Sequence, residues 1–307
     1  MDWLAFALLS TMMFGLISTV DKIVLERFFN NRWAYPFYTG IMTSIPCVIL
    51  LVARIHLGLF SPVPTLTIIA ALLPGLIFFF SALLYTRALL SADVSTVFGL
   101  SQINPVFTLI WDTVFWGSIF LPINYLGIVI VIVCAMFLAW ERPEASLKVI
   151  RFNRVTGLVL LATLIRSVSD AFLKFSVTEL LFWDAFALSR VGMIFPMTYF
   201  LFKSTIRKQV IQPIKQEGMK VIYIVSVIQV AAITSLIFVT RAYSLGPLAL
   251  VSAAQSMAPV FILFFTQVFN LVSPGLVPTR DKTFRLSIRL LLCLGIVTGI
   301  WFLYLGQ

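Results

Sequence analysis

Apolar runs of about twenty residues follow one another along this chain, each ended by a short polar joint, and this succession limits the fold more than any motif. A helix needs roughly 20 apolar residues to cross the hydrocarbon of a bilayer. Ten segments reach that length: about 3–20, 35–55, 66–86, 94–115, 122–140, 155–175, 185–203, 219–240, 247–270 and 287–305. Each helix closes its own backbone hydrogen bonds, which a bilayer interior demands. The joints are polar, as in Glu141-Arg142-Pro143-Glu144 and from Lys203 to Lys220. Composition agrees: 61% of residues are hydrophobic and 11% charged, against about 45–50% and about 25% in soluble domains. The expected solvent is lipid. The first segment has no basic leader and no small-residue cleavage site before Asp21, so it is read as a retained span rather than a signal peptide.

The chain also repeats itself. Thr86-Arg87-Ala88, Pro105-Val106-Phe107 and Val114-Phe115 recur as Thr240-Arg241-Ala242, Pro259-Val260-Phe261 and Val268-Phe269, at a constant offset of 154 with no gap. Ten positions between 86 and 115 match, where an apolar composition would give about three by chance. Leu8, Leu9, Thr11 and Lys22 align with Leu160, Leu161, Thr163 and Lys174 at an offset of 152. Leu126-Gly127-Ile128-Val129 recurs as Leu294-Gly295-Ile296-Val297 at an offset of 168, which places extra residues in the loop from Ser273 to Arg285. The expected fold is all-α and polytopic, with a first five-helix repeat over 1–140, a basic linker over 141–154 and a second repeat over 155–307. Five crossings per half make the halves inverted, with a solute site near mid-membrane where they meet.

The net charge of +10 would suggest nucleic acid in a soluble protein; here Lys and Arg lie between apolar runs and read as orientation signals. The five odd-numbered loops hold three, one, four, five and three of them, and the even-numbered loops hold only Arg54, Lys174 and Arg241. The odd loops are therefore expected to be cytoplasmic and both termini outward, in the plasma or inner membrane. Cys47, Cys134 and Cys293 lie in three different apolar segments, which supports neither a disulfide framework nor a metal cluster. No cofactor or metal is expected, and a single histidine, His56, offers no nucleophilic triad. The chain is expected not to be an enzyme.

These features resemble the drug/metabolite transporter superfamily in its ten-helix EamA-like form. The resemblance rests on the two five-helix units, on Asn104-Pro105-Val106-Phe107 and Ala258-Pro259-Val260-Phe261 early in the fourth helix of each, on Leu-Gly-Ile-Val in each closing helix and on the two Thr-Arg-Ala triplets. Gly117-Ser118 and Leu271-Val272 stand where members often carry Gly-Glu, so no glutamate role transfers. The resemblance implies transport of a small organic solute.

Arg166, Asp170 and Lys174 are spaced by four in the sixth segment and share one helical face. A lone charge at mid-span costs at least about 2.5–3.5 kcal/mol. The face is therefore either an internally neutralised ladder or a cavity wall in which Arg166 grips a carboxylate or phosphate through its planar fork. Asp170 would then hold Arg166 or carry a coupling proton, and Lys174 would reach for water. Arg190, six residues into the seventh segment, reads equally as a headgroup contact or a cavity residue. Asp112, deep in the fourth segment beside Trp111 and Trp116, is a candidate for proton coupling or the partner of a neighbouring donor. Gln102 and Asn104, with Gln255 and Ser256, gather one turn before Pro105 and Pro259, where a kink frees a backbone carbonyl. They could line the site or bond between helices. Arg87, Arg241, Lys22 and Lys174, at span ends, are gate or interface residues.

The favoured reading is an alternating-access carrier of a small organic metabolite such as an amino acid, organic anion or drug-like solute. It would export or exchange that solute, as a monomer or homodimer, with the bilayer and the solute as partners and without nucleic acid. A flippase for an anionic lipid carrier and a non-transporting membrane scaffold are the alternatives.

Overall fold

The computed structural model describes residues 3–29, 33–91, 94–139, 154–272 and 286–305. The basic linker apart from Arg154, and the loop after Val272, lie outside the described residues. Fourteen helices make up the described chain: α1 (Trp3–Phe28), α2 (Ala34–His56), α3 (Thr65–Leu89), α4 (Val94–Ser101), α5 (Asn104–Trp116), α6 (Pro122–Ala139), α7 (Arg154–Glu179), α8 (Phe182–Val191), α9 (Ile194–Leu201), α10 (Ser204–Glu217), α11 (Met219–Leu245), α12 (Leu248–Gln255), α13 (Ala258–Val272) and α14 (Leu286–Leu305). Six stretches are long and apolar enough to cross a membrane: Trp3–Asp21, Ala34–His56, Thr65–Leu89, Arg154–Glu179, Met219–Leu245 and Leu248–Leu271. A seventh, Phe182–Leu201, bends by 110° into Ser204–Glu217. The apolar parts of α6 and α14, Pro122–Phe137 and Leu291–Leu305, are shorter.

The bundle exposes a broad apolar perimeter and buries a number of polar groups within a mostly apolar interior. Leu291, Leu294, Ile49, Val227 and Val230 are exposed on the perimeter, whereas Ser10, Thr11, Thr43, Ser44, Ser167, Asp184 and Arg190 are buried. Several interior hydroxyls satisfy themselves on their own helix, as Thr11 does on Ala7 O at 2.7 Å and Thr163 on Val159 O at 2.8 Å. Such a surface suits acyl chains. The protein is all-α, with several helices fitted to a bilayer.

Proline and glycine set the breaks. Pro105 is the second residue of α5, so the fourth apolar segment is not kinked but divided at Gln102-Ile103. The ninth divides in the same place, at Ser256-Met257, with Pro259 second in α13. The amides there turn to three-residue closures, Gln102 N to Gly99 O at 3.2 Å and Ser256 N to Ala253 O at 3.0 Å. The seventh segment breaks at Gly192-Met193.

The stretch from Lys203 to Lys220, expected as a polar joint, is instead largely the helix α10. Its basic residues obscure an amphipathic pattern: Ile206, Val210 and Pro213 are buried on one side, and Arg207, Lys208 and Lys215 are exposed on the other. Tyr38 Oη donates to Val210 O at 2.9 Å and ties α10 to α2. Gly218, at φ 65° and ψ −152°, makes the sharp turn into α11, a backbone region that only glycine enters cheaply.

The helices pair across the two halves of the chain: α3 along α7, α1 along α11, α6 along α14, α2 against α8 and α5 against α12. Small residues let these axes approach. A Cβ on Gly127 would sit 2.7 Å from Gly299 O, and one on Gly75 or Gly192 would overlap the backbone at Ser189 or Leu72. Gly75→Leu should therefore cost more than the roughly 1–3 kcal/mol of ordinary overpacking. Size-exclusion chromatography in detergent should show lost monodispersity, and a monodisperse variant with an unchanged melting midpoint would refute this contact.

Candidate functional site

The central feature is a cavity of about 690 Å³ lined by both halves of the chain. α1 contributes Ser10, Thr11, Phe14 and Asp21; α2 Tyr35 and Thr39; α3 Phe78 and Tyr85; α5 Asn104; α7 Arg166; α8 Arg190; and α12 Ser252 and Gln255. Gln102, Ser256 and Pro259, at or just after the helix breaks, also line it. Of the residues singled out from sequence, Arg166, Arg190, Gln102, Asn104, Gln255, Ser256 and Pro259 share this one space.

Two guanidiniums frame a single aromatic ring at its deep end. Arg166 Cζ lies 5.7 Å from the centre of Phe78 and 6.0 Å from that of Phe14, and Arg190 Cζ lies 5.6 Å from Phe78. Cation–π attraction is worth more where water is scarce. Arg166 Nε is 3.9 Å from Asp170 Oδ2, a loose (i, i+4) ion pair, and the Arg166 side chain keeps 38% of its exposure. Asp170, the acidic member of this pair, lies beside Asn104 and the Tyr243 hydroxyl, outside the cavity lining. Asn104 Nδ2 donates to Ser252 Oγ at 3.0 Å, and Tyr243 Oη to Gln255 Oε1 at 3.3 Å. The broken helices of the two halves therefore meet through the Asn104 amide and the Ser252 hydroxyl, while Gln255 bonds within its own half.

Arg190 is 3% exposed. Its Nε donates to Ser189 Oγ at 3.3 Å, and no carboxylate lies within 4.0 Å of its guanidinium among the described residues. A buried cation without a counter-ion is costly, and an entering anion relieves that cost while engaging the planar fork.

The cavity lining reaches one end of the bundle and stops short of the other. At the end that it does not reach, where α2 stops and α8 starts, Arg54 Nε and Asp184 Oδ1 are 2.5 Å apart, and Arg54 Nη2 donates to Leu59 O at 2.7 Å. Ser61 N and Oγ both donate to Asp184 Oδ2, at 3.3 and 3.4 Å. Lys174 does not reach for water as expected: its Nζ donates to Tyr243 O at 2.5 Å and Gly246 O at 2.8 Å. It thereby fastens α7 to the last carbonyls of α11, where a cation is favoured by the helix dipole. Trp3 packs on Gly246 at the same level. Asp112 lies there too, outside the cavity lining. Its Oδ2 accepts Ala249 N at 3.0 Å, which caps the first turn of α12 from a different helix. The opposite end is lined out to Leu25, Phe29, Leu89 and Leu90, where α1 and α3 finish.

Arg87 is half-buried at the end of α3 and lies off the cavity lining, and the exposed Arg241 stacks on Phe182 at 5.8 Å, as an interface anchor does. The Lys22 side chain lies outside the described residues. No cluster of three metal-ligating side chains occurs among the described residues.

Sequence reasoning missed Asp21, Tyr35 and Asp184. Asp21 closes an apolar run and reads as a span-end charge, yet α1 continues to Phe28 and holds the carboxylate inside. Its Oδ1 and the Tyr35 hydroxyl are neighbours, buried and without a well-formed hydrogen bond.

No protein-family model and no curated protein matches the chain. A solved crystal structure, described only as that of a protein, shares the fold at a TM-score of 0.61 and 15% identity, covering 98% of this chain and 96% of the other.

Proposed function

We propose that this chain is a secondary transporter for a small anionic or zwitterionic organic solute, working by alternating access. Its plan is that of the ten-helix drug/metabolite carriers, two inverted five-helix halves. Helix boundaries support the repeat: α4 and α12 (94–101 and 248–255) differ by 154 at both ends, α5 and α13 begin 154 apart (104 and 258), and α1 and α7 are both 26 residues long. The packing supports it as well. Exchanging the halves turns the pair α3–α7 into α11–α1 and returns α6–α14 and α2–α8 to themselves. The four segments outside the six long stretches are then crossings as well, which brings the number to ten.

The observation that carries this reading is Arg190, buried with no carboxylate within 4.0 Å among the described residues, on the wall of a cavity whose lining reaches one end of the bundle only. With the odd loops cytoplasmic, the cavity faces the cytoplasm and the lock of Arg54 and Asp184 faces outward, in a plasma or inner membrane. No enzymatic step is invoked. Arg166→Ala should abolish uptake of organic anions or amino acids into reconstituted vesicles while leaving expression and monodispersity intact. Unaltered uptake by that variant would reject a binding role for the Arg166 face.

A further inference from the structure

Beyond the anion-binding end, the same cavity holds a half-buried aspartate with one buried carboxylate oxygen, two helical turns away. Phe14, over which Arg166 lies, and Asp21 are seven residues apart on α1, nearly on one face and both on the cavity wall. Seven residues of helix rise about 10 Å. α3 repeats the same step: Phe78, flanked by both guanidiniums, and Tyr85 are also seven residues apart and line the cavity. Tyr85 is within coulombic reach of both Arg166 and Asp21, so the two steps run alongside each other. Among the described residues no basic side chain pairs with Asp21 within 4.0 Å, and both Asp21 Oδ1 and Tyr35 Oη are buried without a hydrogen-bond partner. A carboxylate with a hydroxyl beside it in the cavity wall, but no cation paired to it among the described residues, invites a donor that carries positive charge.

We propose that Asp21 and Tyr35 form a cation subsite, so that the cavity takes an elongated dipolar solute. Its ammonium or guanidinium end and its carboxylate are held apart by a stem somewhat shorter than the helix step of about 10 Å, because the side chains at both ends reach inward. The anionic end meets Arg166 and Arg190 and the cationic end meets Asp21 nearer the mouth, with Phe14, Phe78 and Tyr85 along the stem. This rests on the cavity being the solute site, and it narrows the substrate to solutes resembling a basic amino acid or a short peptide. A simple dicarboxylate or an α-amino acid with an apolar side chain would leave Asp21 unmatched.

The test uses three probes of one length on the purified full chain: hexanoate, hexylammonium and 6-aminohexanoate, each titrated against the melting midpoint. A ligand that binds only the folded state raises that midpoint by mass action. The wild type should reach half-saturation with 6-aminohexanoate at a concentration at least tenfold lower than with hexanoate. Asp21→Asn should bring the two together by weakening only 6-aminohexanoate, and Tyr35→Phe should do so in part. Arg190→Gln should weaken both carboxylates and leave hexylammonium unchanged. Equal half-saturation by hexanoate and 6-aminohexanoate in the wild type, or a difference that persists in Asp21→Asn, overturns the cation subsite while leaving the anion site standing. A wild type that responds to none of the three overturns the cavity as the solute site, and the subsite with it.

Discussion

Arg190→Gln is expected to reduce solute flux in reconstituted vesicles by about two orders of magnitude while leaving the protein at least as heat-stable as the wild type. The two effects separate because Arg190 is buried without a carboxylate partner among the described residues. Its charge costs the empty state desolvation and returns it only when an anion enters. Removing that charge relieves the empty state and takes away a charge-assisted, bidentate contact from the loaded one. A residue placed only for packing would behave in the opposite sense, with stability lost and flux unchanged. The measurement is initial flux beside the melting midpoint for the same preparation. Flux within threefold of wild type would remove Arg190 from the site.

The second large effect is expected at the end of the bundle that the cavity lining does not reach. Asp184 is fully buried and holds Arg54, Ser61 N and Ser61 Oγ together. Asp184→Ala leaves the largely buried Arg54 guanidinium without its counter-ion, and breaking a buried pair in this way typically costs about 3–5 kcal/mol. The paired change Arg54→Met with Asp184→Leu removes both charges and should recover most of that stability. It should not recover alternation, because the end would then be shut by apolar packing rather than by a separable ion pair. Melting midpoints of Arg54→Met, Asp184→Leu and the double variant test the first part, and exchange flux tests the second. Additive losses across the cycle would show that the two side chains act independently.

What the sequence makes legible depends on how local the signal is. Arg166 stands out because a mid-span arginine has few cheap explanations, and Pro105 and Pro259 mark the helix breaks because proline lacks the donor that continues a helix. The membrane setting follows from run length alone, although only six helices, or seven with the bent pair, meet the length and hydropathy test among the described residues. Asp21 and Asp184 were illegible for a shared reason. Each stands near the end of an apolar run, where a charge ordinarily meets water, and only tertiary packing decides that it turns inward. The partner of Asp184 is 130 residues away, beyond any pattern a single helix can display. Asp112 shows the reverse: its depth in an apolar run suggests proton coupling or a neighbouring donor, and the donor it meets is the backbone of the first turn of α12. Lys174 is similar, since carbonyls at the end of another helix replace the water it was expected to seek.

The sidedness of the cavity is tested most directly by labelling one cysteine. In protein carrying Cys47→Ser, Cys134→Ser and Cys293→Ser, a cysteine in place of Thr39 lies on the cavity wall toward the end that its lining reaches. A membrane-impermeant maleimide should modify it in inside-out vesicles and leave it untouched in right-side-out ones, with protection by a transported solute. Equal modification from both sides, or modification only from outside, would contradict a chamber sealed by Arg54 and Asp184 and open to the cytoplasm.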